Sequence, residues 1–164
     1  MDPSLLVEHL DTLIDTCQQG ADGMSRCAGQ AQSLALQWLL TQRSKCWHKA
    51  AAELHALREQ YAGTATVRAG EPHASWAPAK GMLAGFSDLA LLAVCDRGED
   101  AALQRYREFL DEDLPIVLRA VAQRHSDAVR DHRAQLRSAR ILLNTAQRPD
   151  APACPENHSV GEPS

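Results

Sequence analysis

The chain has 164 residues and a net charge of −4, and its 27 Ala and 21 Leu far outnumber its 16 Val, Ile and Thr. Strands favour branched side chains and helices favour Ala, Leu, Gln and Arg, so this composition argues against an all-β or βαβ plan and for one helical domain. Fourteen Arg and three Lys lie scattered among 21 acids with no basic stripe, which argues against nucleic acid as a partner.

The spacing of apolar residues in steps of three and four predicts four helices. The first starts after Pro3 and Ser4 on a seam of Leu6, Leu10, Leu13, Cys17, Gly20, Met24, Cys27 and Ala31, with a turn near Gly29 to Ser33. Gly20 and Gly23 inside it each cost about 1 kcal/mol relative to Ala. The second runs from about Ser33 to Tyr61 on Leu36, Leu40, Arg43, Trp47, Ala50, Leu54, Leu57 and Tyr61, and Gly63 suits the residue that closes it. A polar linker from Gly63 to about Ser75 is the expected long crossing loop.

A helix start is predicted at Ser75 to Pro78, with a pause near Gly81 and Gly85 and a restart at Ser87-Asp88. The third seam then reads Leu89, Leu92, Asp96, Glu99, Leu103, Tyr106 and Leu110. Asp113, with Pro115 in the first turn, is expected to open the fourth helix, whose seam is Leu114, Leu118, Val121, His125, Ala128, His132, Gln135 and Ala139. The expected architecture is an up-down four-helix bundle over residues 1–145, followed by a disordered Pro-rich tail over 146–164.

The segment Leu92-Ala93-Val94-Cys95-Asp96-Arg97-Gly98-Glu99-Asp100-Ala101-Ala102, then Tyr106 and Glu112-Asp113-Leu114-Pro115, resembles a family of uncharacterised bacterial four-helix-bundle proteins. That family, domain of unknown function 2383, is placed in the ferritin-like superfamily. Leu13-Ile14-Asp15-Thr16-Cys17-Gln18-Gln19-Gly20 resembles its first helix, and the likeness covers about residues 5–142. The resemblance implies a ferritin-like bundle, cytoplasmic, with no established activity. Where relatives often carry Glu, this chain has Ala21 and Val94, and where they tend to carry a His-Asp pair it has Arg133-Ala134; each change removes a candidate metal ligand.

A ferritin-type di-iron centre takes a Glu from each of two helices and a Glu-x-x-His from each of the others. Three residues before His48, His55, His125 and His132 stand Lys45, Ala52, Ala122 and Val129, so that signature is absent. What remains is Asp96 and Glu99 on the third seam with His125 and His132 on the fourth. With the turn at about residue 112, Glu99 and His125 lie 13 residues to either side, which predicts one layer. Such a layer has metal-site chemistry, and iron or another divalent metal is the cofactor it would hold. The favoured reading is an ionic core layer in which Arg43 neutralises Asp96 or Glu99 and His125 caps the network. Two His seven residues apart are separated by about 10 Å of helical rise and do not readily share one ion.

The five Cys, 17, 27, 46, 95 and 154, form no C-x-x-C pair and read as reduced thiols, four in the bundle as small hydrophobes rather than a Cu(I) site and one in the tail. Trp38, Trp47 and Trp76 are expected in core and inter-helix packing. No nucleophile elbow or phosphate loop is present, so no enzymatic activity is expected. No apolar run reaches the ~18 residues of a membrane span, and the acidic start does not form a signal-type block, so a cytoplasmic protein with no membrane partner is expected. Three roles follow: a structural or interaction bundle, in stress conditions, which is favoured; a metal-binding or storage bundle; and, least favoured, a residual oxidase. Leu39, Leu91 and Ile141 outside the seams leave room for a homo-oligomer, and no other protein partner is legible.

Overall fold

The computed structural model describes residues 2–62 and 83–146. Its elements are four helices: α1 Pro3–Gln30, α2 Leu34–Ala62, α3 Asp88–Leu110 and α4 Ile116–Ala146. The predicted start at Ser75 to Pro78, with Trp76, and the predicted tail from 147 onward, with Cys154, lie outside the described residues.

The Asp2 side chain accepts the Ser4 amide at 3.1 Å, and Pro3 occupies the first turn, where its missing N–H has no partner to lose. From there α1 runs unbroken, and all eight predicted seam residues are buried. Gly20 does not interrupt the helix because it is the point of closest approach to α2: the Trp47 ring lies against it, so near that an added Cβ would stand 2.8 Å from two ring carbons. One turn away the Ser44 hydroxyl donates to the Ala21 carbonyl at 2.8 Å.

The direction of α3 follows from its two ends. At its start the Asp88 carboxylate accepts the backbone N–H groups of Gln32 and Ser33, at 2.8 and 3.0 Å, in the α1–α2 turn. At its far end Phe109 packs edge-on against His9 near the beginning of α1, and His9 lies 3.9 Å from Glu112. Thus α3 runs parallel to α2, so the end of α2 and the start of α3 stand at opposite ends of the bundle, as the long crossing expected from the sequence requires. α1 packs against α2 and α3, α4 packs against α3, and of these four neighbouring pairs α2 and α4 touch least. Ser87 caps α3 by accepting the Ala90 amide at 3.2 Å, and Gly85 just before it adopts φ 82°, a left-handed conformation that glycine takes without strain. Asp88→Ala leaves two amides of a tight turn without acceptors, and is expected to lower the urea-unfolding free energy by about 1–2 kcal/mol, whereas Ser87→Ala costs about 1.

Several expectations are corrected. Leu91 is fully buried in the core, not an outer residue. On α4 the buried positions are Leu118, Ala122, His125, Ser126, Val129 and Leu136, so the seam passes through Val129 and Leu136 instead of Ala128 and Gln135. Trp38 and Tyr61 are exposed, and Pro115 precedes α4, its carbonyl accepting the Arg119 amide. Cys46 is exposed, unlike Cys17, Cys27 and Cys95.

Candidate functional site

Two polar assemblies interrupt the apolar core, and both reach the weakly closed seam between α2 and α4. The first is centred on Glu99, which has no solvent exposure. Arg43 of α2 grips its carboxylate through two N–H groups, Nε to Oε1 at 2.6 Å and Nη2 to Oε2 at 2.9 Å. Trp47 Nε1–H donates to Oε1 at 3.3 Å, and the Arg43 guanidinium lies 4.6 Å from the Trp47 ring centroid. A buried carboxylate is tolerated when its charge is paired and its oxygens are hydrogen-bonded, and here one guanidinium and one indole N–H supply three bonds.

The second assembly is a chain of hydrogen bonds through four helices. Cys17 Sγ of α1 lies 3.1 Å from the Tyr106 hydroxyl of α3, which lies 3.0 Å from Nδ1 of His125 on α4. His125 Nε2 lies 2.9 Å from Glu53 Oε2 on α2, and Glu53 also pairs with Arg124. Burial pushes the Cys17 thiol up to about 12 and raises the Tyr106 hydroxyl well above its ordinary value, so both stay protonated. Burial holds His125 below the ordinary imidazole value against the pull of Glu53. Burial resists ionisation of Glu53 as well, yet its bonds to Arg124 and His125 outweigh this and keep its carboxyl below the usual range. The donors therefore run in one direction: Cys17 S–H to Tyr106, Tyr106 O–H to Nδ1, and Nε2–H to the Glu53 carboxylate.

Both assemblies border a cleft of about 330 Å³ between α2 and α4, with Trp47, Ala50, Ala128 and Val129 as apolar walls and Glu53, His125 and His132 among its polar groups. A smaller pocket of about 120 Å³ adjoins it toward the α1–α2 turn, lined by Trp38, Leu39 and Leu136. His132 contributes to both. Its Nδ1 is buried without a hydrogen bond, and burial, aided by the charge of Arg43 and opposed by the Ala128 carbonyl and Asp131, pushes the ring down to about 4. The unfolded ring titrates near 6.5, so in the interval between these values the unfolded chain binds the extra proton and stability falls as pH drops. His132→Gln is expected to flatten the dependence of unfolding free energy on pH between about 4 and 6.5 by up to one proton. Coincident slopes for the two proteins would rule out this ring as the cause.

The four residues singled out by sequence do not share one layer. Tyr106, not Glu99, stands opposite His125, so α3 and α4 pair about a centre between residues 115 and 116 and not about residue 112. His125 bonds to the second assembly and does not touch Glu99. Asp96 is half-exposed at the α3–α4 edge, 3.2 Å from Arg133, which also reaches Asp100 at 2.9 Å. Among the described residues no three His, Cys, Asp or Glu side chains converge as metal ligands do. A di-iron centre does not fit this donor set, since Arg43 and Trp47 occupy the Glu99 oxygens. Glu53 and Arg124 went unnoticed in the sequence, where nothing sets them apart from other solvated charges.

A family model described as Domain of unknown function (DUF2383) matches residues 6–112, which takes in α1, α2 and α3 with Arg43, Glu99 and Tyr106, and stops before α4. No curated protein matches the chain.

Proposed function

The chain belongs to the family of Domain of unknown function (DUF2383), a membership that assigns no activity, and we propose from its geometry that it is a non-enzymatic, ferritin-like bundle with a structural or interaction role. The observation that carries this reading is the engagement of Glu99. Both oxygens of that carboxylate are bonded within the protein and neither is open to solvent, so the central acid of the bundle ties α2 to α3 and is engaged by its own chain. A role in stress conditions is compatible with this reading.

A second reading, metal binding or storage, draws on His125 and His132, whose rings border the same cleft as Glu53. For Asp96 and Glu99 to join them, Arg133 and Arg43 would have to release their carboxylates. Titration of chelator-stripped protein with Fe(II), Zn(II), Mn(II) and copper, followed by thermal unfolding and elemental analysis, separates the two. The structural reading expects no rise in Tm and no retained metal. A metal at 100 times its Kd would add about 2.7 kcal/mol, and such a rise, lost in His125→Ala and His132→Ala, replaces the first reading with the second.

A further inference from the structure

The large apolar side chains that stand exposed among the described residues are confined to the two ends of the bundle. Leu34, Trp38, Ile141 and Leu142 lie at the end that holds the α1–α2 turn, and Leu5, Tyr61, Ile116 and Val117 lie at the other. Ile116 is 83% exposed and Leu34 80%, so these are not edges of the core. Exposed apolar residues gathered in this way mark contact surfaces, whereas scattered ones need no explanation.

Among the described residues the two ends also differ in charge. No Asp or Glu occurs between Gly23 and Ala52, nor between His132 and Ala146, and exposed Arg26, Arg137 and Arg140 stand at the α1–α2 end. The carboxylate of Asp88 at that end is taken by the amides of Gln32 and Ser33. At the opposite end Glu108, Asp111, Glu112 and Asp113 fall within six residues. Four arginines among the described residues stand at this end: Arg58 pairs with Asp11, Arg105 with Glu108, Arg119 donates to the Leu110 and Glu112 carbonyls and Arg107 is exposed. This still leaves Asp111, Glu112 and Asp113 in excess, together with Asp2, Glu8 and Glu59.

We propose that the basic, apolar end of one molecule docks on the acidic, apolar end of a second copy, head to tail. The inference deepens the interaction role proposed above by naming its partner. Pairing of like ends sets like charges together, and complementary ends attract, so the contact is heterologous. Each added copy still presents one end of either kind, and the assembly grows unless the rotation between copies closes a ring.

Light scattering and sedimentation velocity on the full chain test this. Chelator is kept present, so metal binding, which would overturn the proposed role, leaves the result unchanged. Average mass is expected to rise with concentration and to fall as ionic strength goes from about 0.01 M to about 0.15 M and the Debye length shrinks from about 30 to about 8 Å. Trp38→Ser with Leu142→Ser, and separately Ile116→Ser with Val117→Ser, should each weaken self-association at least tenfold, with far-UV circular dichroism unchanged. Mixed together, the two variants are expected to form a 1:1 dimer and nothing larger, because one intact end remains on each. Arg137→Glu with Arg140→Glu should repeat the loss at the basic end. A wild-type chain that stays monomeric at its highest soluble concentration overturns the proposal. So does dimerisation of the Ile116/Val117 variant by itself, association indifferent to salt, or a monomer that binds anionic lipid vesicles through Trp38.

Discussion

Arg43→Met is expected to destabilise the bundle by about 3–5 kcal/mol, the largest loss predicted for any single side chain here. The cost comes less from the lost pair than from what it leaves behind, a carboxylate with no solvent exposure and no counter-charge. Glu99→Gln should cost a similar amount, since it leaves the Arg43 guanidinium, only 5% exposed, unpaired. Arg43→Met combined with Glu99→Met removes both charges and fills the space with apolar atoms, so most of the loss should return. The remaining deficit, about 1–2 kcal/mol, reflects the Trp47 indole N–H losing its acceptor. Urea unfolding at one pH of the wild type, Arg43→Met, Glu99→Met and the double variant gives the coupling directly. A single variant within about 1 kcal/mol of wild type, or a double variant no better than the singles, contradicts this account of the layer.

Gly20→Val is the second, with an expected cost of about 3 kcal/mol. Glycine inside a helix usually invites stabilising replacement, because Ala gains about 1 kcal/mol of helix propensity. Here the new Cβ meets ring carbons of Trp47 at 2.8 Å, and moving that ring toward the α2–α4 cleft breaks the contacts that hold it. Its N–H is held by Glu99, the Arg43 guanidinium stacks on it, and it is 1% exposed. Even Gly20→Ala should therefore lower stability, against its propensity. Trp47→Leu in the Gly20→Ala background should cost less than it does in the wild type, by about 0.5–3 kcal/mol of coupling. If Gly20→Ala raises Tm, α1 and α2 have room to separate and the close approach is not a constraint.

Much of this was readable from the residues, for reasons that differ between elements. The α1 seam came out whole because its apolar positions keep one phase, with Gly20 and Cys17 falling where large neighbours leave little room. Arg43 and Glu99 were conspicuous as charges on apolar seams, and the structure joins them. On α4 the choice between Ala128 and Val129, and between Gln135 and Leu136, could not be made from spacing. Both steps keep His125 and His132 on the inner face, and only the position of α2 decides which flank is covered. The contacts of Glu53 with Arg124 and His125 were hidden for a related reason. They join residues up to 72 positions apart, and their meeting depends on α2 and α4 being neighbours, which follows from the crossing between 62 and 83 and from no local pattern.

The incomplete closure of the α2–α4 seam bears on how the molecule fluctuates. α1 is packed on two sides, by α2 and α3, whereas α4 rests mainly on α3 and reaches α2 through Glu53 and its two partners. A bundle built this way does not open as one cooperative unit. Amide protons of α4 should become exchangeable through a partial opening of lower free energy than the global transition, while those of α1 wait for complete unfolding. The indole of Trp47 would meet solvent in that partly open state, which places the most buried aromatic group of α2 at the boundary between two tiers of stability.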